Sequence, residues 1–140
     1  MKNPYLGTTI FVILLFSSLS SYACSCRLDL KDNVSRAERI FLAKAISARV
    51  HNEANEDLSY VEVEFSVIQK LKGDGPKSVI IKTRPPGGDC GVPITLAQKY
   101  MIFLRNGEEQ IGTCGGSHEA YGFPPDELEE ILKIVKQKSK

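Results

Sequence analysis

Cysteine has the widest chemical repertoire in this chain, and its four copies are unevenly spaced. Cys24 and Cys26 flank a single serine, and Cys90 and Cys114 lie far downstream. Thiols so placed have three uses. Oxidised, they form structural disulfides. Reduced, a Cys-x-Cys pair binds a soft metal such as copper or zinc. A redox dithiol is the third use, but it favours Cys-x-x-Cys at a helix start. An even number of cysteines in an exported chain points to disulfides. Four cysteines permit three connectivities. Joining Cys24 to Cys26 would close a strained, very small ring, so each reaches either Cys90 or Cys114. Both remaining solutions tie the start of the mature chain to two distant segments. Closing one such loop stabilises by roughly 4 kcal/mol in the chain-entropy picture.

Other side chains offer less. His51 and His118 stand alone, without a ligand or catalytic partner at useful spacing, and read as surface residues. Glu62 and Glu64 alternate with apolar residues and read as the solvated side of a strand. No Ser-His-Asp set, paired-carboxylate set or Gly-rich phosphate loop stands out. The expectation is a non-enzyme with no cofactor of its own.

The export signal is local. Lys2 is a basic n-region, Ile10 to Phe16 is an apolar h-region, and Ser21-Tyr22-Ala23 places small residues before a cleavage point at Cys24. Residues 1–23 therefore read as a signal peptide. The apolar run is well short of the roughly 20 residues that a membrane span requires, so no transmembrane segment is expected. A cysteine directly after such a run also fits a lipid-modified bacterial lipoprotein, but that signal wants Leu near −3, where Ser21 stands. Secretion is the main reading; a periplasmic or lipid-anchored envelope location is the lesser one. Lys2 is the only charge in the leader, so the mature chain carries 17 basic and 17 acidic residues. A balanced chain gives no electrostatic case for nucleic acid or anionic membrane. Its length suits one domain, residues 24–140, expected to be monomeric.

The elements that must position the cysteines are mostly strands. Residues 29–39 suggest a short helix, with Asp32 and Asn33 as possible caps. Ile40 to Val50 reads as a long strand, and His51 to Leu58 as a hairpin loop. Ser59 to Leu71 alternates, with Val61, Val63, Phe65 and Val67 on one face. Lys72 to Pro76 is a turn. Val79 to Thr83 is a third strand, Arg84 to Asp89 an exposed loop, and Lys99 to Leu104 a fourth strand. Asn106-Gly107 signals a hairpin into a fifth, Gln110 to Cys114. A terminal helix of about 126–137 presents Leu128, Ile131, Leu132 and Val135 at helical spacing. Five mostly antiparallel strands with helices at the ends predict a mainly β fold, a five-stranded Greek-key barrel of the OB type.

The order of several short motifs is more specific than any one of them. Cys-x-Cys at the mature start, Ala37 to Ala45, Leu71-Lys72-Gly73, Asp89-Cys90-Gly91, Tyr100-Met101-Ile102-Phe103 and Gly112-Thr113-Cys114 together resemble the tissue inhibitors of metalloproteinases and, more broadly, netrin-like modules. The resemblance covers about residues 24–116. It implies an OB-fold barrel, the bridges Cys24–Cys90 and Cys26–Cys114, and inhibition of zinc metalloproteinases.

The resemblance also implies the site. The free α-amino group and carbonyl oxygen of Cys24 would chelate the zinc of the target protease in trans, displacing its water. An α-amino group, with an ordinary pKa of about 7.7–8.0, gives up its proton readily near neutral pH. The bridges would remove the fraying that otherwise opposes binding. Ser25 would enter the pocket beside the zinc. Cys26, Arg27 and the loop Gly88, Asp89, Cys90, Gly91 and Val92 would form the rest of the protease contact. This chain has four cysteines where the family's domain usually has six. The helix near 126–137 stands where the family has a cysteine-rich second domain.

Overall fold

The computed structural model describes residues 26, 29–54, 59–85, 90–120 and 125–138. Helix α1 (Leu30–Arg36) leads into strands β1 (Arg39–His51), β2 (Tyr60–Lys72), β3 (Ser78–Thr83), β4 (Lys99–Leu104), β5 (Gln110–Ile111) and β6 (His118–Glu119). Helix α2 (Pro125–Lys138) follows. The strands form one curled sheet, half of a barrel, in the order β5-β3-β2-β1-β4-β6. The fold is mainly β, as predicted, but with six strands rather than five. The added strand is β6, which pairs Tyr100 with Glu119 and Met101 with His118. No helix among the described residues is long and apolar enough to cross a membrane.

The two longest strands form the central hairpin, with Val50 opposite Val61 and Ala45 opposite Phe65. Register shifts interrupt β1 at Ile40/Phe41, Leu42/Ala43 and Ala45/Ser47. Bulges of this kind coil a strand, and here they let β1 serve two cores. Phe41, Ala43 and Ala45 face the inner core with Val63, Phe65, Ile81, Tyr100, Ile102 and Ile111. Ile40 joins Met101 and Phe103 on the opposite face, beneath Val34 of α1 and Ile131 and Ile134 of α2. The run Tyr100 to Phe103 thus alternates between two cores, which is why it reads as continuously apolar.

Three predictions at the ends of elements need correction. Asp29, rather than Asp32 or Asn33, caps α1, its carboxylate accepting from the N–H groups of Lys31 and Asp32 at 2.9 and 3.3 Å. Asn33 instead is buried, its amide close against Gly116. Asn106-Gly107 does form a turn, with Glu108 N–H donating to Arg105 O at 3.1 Å and Gly107 at φ 73°. The turn does not close a β4–β5 hairpin, because β5 crosses to pair in parallel with β3, Lys82 beside Gln110 and Thr83 beside Ile111. The fifth strand is also short. It gives way after Ile111 to a 3-10 turn, Thr113–Gly115, that carries Cys114.

The Leu71-Lys72-Gly73 motif has a separate structural reason for each residue. Leu71 is buried beneath the helices. The Lys72 ammonium donates to the carbonyls of Val34 (2.7 Å) and Ala37 at the end of α1, where a cation suits the helix dipole. Gly73 has φ +69°, and a Cβ there would lie 2.7 Å from Glu38 O.

Tyr100 fixes the connection between Val92 and β4. Its ring is fully buried and edge-on to Phe65 at 5.6 Å. The hydroxyl accepts from Thr95 N–H (2.7 Å) and donates to Pro93 O (3.2 Å). Burial pushes its pKa above the ordinary 10.0. The folded state therefore holds this proton at pH values where the unfolded chain has lost it, and stability falls as pH rises above about 10. Tyr100→Phe is expected to cost about 1–2 kcal/mol at neutral pH. The gap from wild type should narrow in thermal melts at alkaline pH. A gap independent of pH would contradict this account.

Candidate functional site: the cystine corner

The cysteines meet where the β3–β4 connection passes the end of β5. Cys26 is bridged to Cys114 across 88 positions of sequence, with a Cα–Cα distance of 5.0 Å. Cys90 is also in disulfide form, and there is no free cysteine among the described residues. Cys24, Ser25, Arg27, Gly88 and Asp89 lie outside the described residues.

Thr113 joins the two half-cystines. Its backbone N–H and its hydroxyl both donate to Cys90 O, at 2.9 and 3.1 Å. The same hydroxyl lies 4.0 Å from Cys26 Sγ. A hydroxyl has one proton, and the carbonyl is the better acceptor, so the sulfur contact is one of packing. Cys90 itself lies at φ 56°, a left-handed conformation that non-glycine residues rarely adopt.

The base of the loop is pinched shut. A Cβ on Gly91 would lie 2.1 Å from Arg84 O and 3.0 Å from Pro85 O, so only glycine lets the two strands of the loop cross. One residue on, Val92 N–H donates to the buried Thr83 hydroxyl at 2.9 Å, and the Val92 side chain enters the inner core. Gly112 lies against the carbonyl that accepts from Thr113, its ideal Cβ 3.2 Å from Cys90 O. The corner is thus buried beneath, through Gly91, Val92 and Ile111, while Cys26 and Cys90 are half-buried and Cys114 is exposed. An open groove beside it is lined by Arg84, Cys90, Arg105, Glu108 and Cys114.

Of the predicted contact residues, the structure brings together Cys26, Cys90, Gly91 and Val92, beside Cys114, which was predicted as a disulfide partner. The sequence reading missed Thr113 and Thr83 as the groups that hold them. A hydroxyl residue beside a cysteine is too common to signal such a role by itself.

The histidines lie elsewhere. His51 stacks on Tyr60 with ring centroids 4.5 Å apart, half-buried rather than freely exposed. The His118 ring contacts Gly116 O at 2.7 Å through Nδ1 and the Glu127 carboxylate at 3.2 Å through Nε2, linking β6 to α2. No group of three or more His, Cys, Asp or Glu able to hold a metal occurs among the described residues. Compared with protein-family models and with curated proteins, the chain matches none.

Proposed function

We propose that this chain is a secreted inhibitor of zinc metalloproteinases, similar to the tissue inhibitors of metalloproteinases, acting through the α-amino nitrogen and carbonyl oxygen of Cys24. The observation that carries the reading is the Cys26–Cys114 bridge. It anchors the chain two residues from the proposed ligand, on a corner that Thr113 locks to Cys90. In the proposal Cys24 is bridged to Cys90, so both anchors of the amino terminus converge on one rigid spot. That is the preorganisation a two-atom chelator requires. The zinc belongs to the protease and keeps an open coordination position for such donors. The chain acts by occupancy rather than by catalysis.

The finer fold assignment, a Greek-key OB barrel, belongs to the same proposal. It is supported by β1 serving as hub to both β2 and β4, and by the parallel pairing of β3 with β5. A second reading is a netrin-like module that binds an envelope or matrix partner without inhibiting. Its supporting observation is that Leu71-Lys72-Gly73, Tyr100 to Phe103 and Gly112-Thr113-Cys114 all have fold-building roles here, which a non-inhibitory module would need equally.

One variant separates the two. Adding a single Ala before Cys24 buries the α-amino group in a peptide bond. Inhibition of a zinc endopeptidase is expected to weaken at least about 100-fold, a loss of roughly 2.7 kcal/mol, with the melting temperature unchanged. Undiminished inhibition by the extended chain rejects chelation. Mass spectrometry of the exported protein should show Cys24 first, with a free amine.

A further inference from the structure

The outer edge of β1 changes character half-way along. From Arg39 to Lys44 the strand lies between β2 and β4. The last bonds on the β4 side are made by Ala45, donating to Gln98 O (3.0 Å) and accepting from Ala97 N–H (2.9 Å). From Ser47 to His51 the strand pairs with β2 alone, and Ile46 is the extra residue at the register shift between Ala45 and Ser47. Among the described residues, nothing pairs with the backbone groups on its other side. A free edge is usually blunted by proline, lysine or a covering loop. This one is six residues of Ile-Ser-Ala-Arg-Val-His with Ile46 and Val50 half or more exposed, at 50% and 60%.

Two charges beside this edge lack ion-pair partners among the described residues, Arg49 on β1 and Glu64 on β2. Both are exposed. The Glu64 carboxylate is held between two hydroxyls, accepting from Ser47, the edge residue opposite it, at 3.2 Å and from Ser78 of β3 at 3.1 Å. An incoming cation beside Ser47 would therefore find a carboxylate within reach.

We propose that this edge is a self-association surface, on which a second copy of the chain adds its own Ile46–His51 strand antiparallel. A two-fold axis at Ala48 sets Ile46 opposite Val50 of the second copy, and Ser47 opposite Arg49 of the second copy. Each Arg49 then stands beside the Ser47 that already holds the other chain's Glu64. One register satisfies the apolar pair and the ion pair, each twice by symmetry. A slip of one residue puts charged side chains opposite apolar ones and loses both. Six residues of strand from each copy make a short contact, so the dimer forms only at high concentration and the dilute chain is monomeric. This inference does not rest on the inhibitor reading.

Sedimentation velocity on the mature chain, from about 10 μM to about 1 mM, is expected to show a monomer–dimer equilibrium. Arg49→Glu and Glu64→Arg are each expected to weaken dimerisation at least tenfold. The combined variant, with the charges exchanged, is expected to return to within about threefold of wild type. Circular dichroism is expected to show each variant folded, with melting lowered by only a few °C, because Glu64 gives up its bonds to Ser47 and Ser78 and Arg49→Glu faces Glu62. A wild-type chain that stays monomeric up to 1 mM overturns the proposal. So does a dimer that neither single variant disturbs, or one that the exchange fails to restore.

Discussion

Gly91→Ala is expected to lower the melting temperature by roughly 10 °C or more, although it adds only one methyl group. The new Cβ would sit 2.1 Å from Arg84 O and 2.7 Å from Arg84 C. Those are backbone atoms, so no side-chain rotation relieves the clash, and the two limbs of the loop must separate. Separation strains the bond from Val92 N–H to Thr83 and draws Cys90 away from Thr113. Thr83 and Val92 are almost fully buried, at 1% and 2% exposure, so that movement also loosens the inner core. Overpacking with backbone displacement costs about 3 kcal/mol, and each kcal/mol shifts melting by about 4 °C in a domain of this size. Gly75→Ala is the control. Nothing lies within 4 Å of its ideal Cβ, and its melting temperature should stay within about 2 °C of wild type. If Gly91→Ala melts as close to wild type as Gly75→Ala does, the loop crossing is not as described.

That sensitivity could not be read from the sequence, where Gly91 is one of 11 glycines. What was legible was what depends on neighbours along the chain. The two-residue alternation of Val61, Val63, Phe65 and Val67 predicts β2 because side chains alternate across a sheet. The spacing of Leu128, Ile131, Leu132 and Val135 predicts α2 because a helix buries a stripe. What was lost depends on neighbours across space. β6 is only His118 and Glu119, too short to show a period. Its place beside β4 is prepared by Ser117, whose hydroxyl accepts from Phe103 N–H at 2.9 Å and donates to Phe103 O at 3.3 Å. Asn106-Gly107 announces a turn, but the direction of the chain beyond it depends on the open edge of β3, which ends far upstream at Thr83. At the cystine corner, the cysteines were visible by type. The bonds from Thr113 to Cys90 O were not.

Removing the Cys26–Cys114 bridge with the pair Cys26→Ala and Cys114→Ala is expected to affect both the fold and the proposed activity. The bridge spans 88 positions, and a closed loop of that size is worth about 4–5 kcal/mol in the chain-entropy picture when it stands alone, and less where a second bridge overlaps it. Against a typical domain stability of roughly 5–15 kcal/mol, that loss is a large fraction of the total. Replacing both cysteines avoids a free thiol that could exchange with the remaining disulfide. The two bonds from Thr113 to Cys90 O do not involve the bridge sulfurs, so the floor of the corner should persist in the folded fraction. In the proposed arrangement, Cys24 then loses one of its two anchors. Inhibition measured well below the new melting temperature should then weaken by a further factor of about 10–100 through the restored ordering cost. Folding and activity are separate readouts of the same variant. An unchanged melting temperature would contradict the structural account of the bridge. A destabilised variant that inhibits as strongly as wild type would leave the bridge structural and remove the support that preorganisation lends to chelation by Cys24.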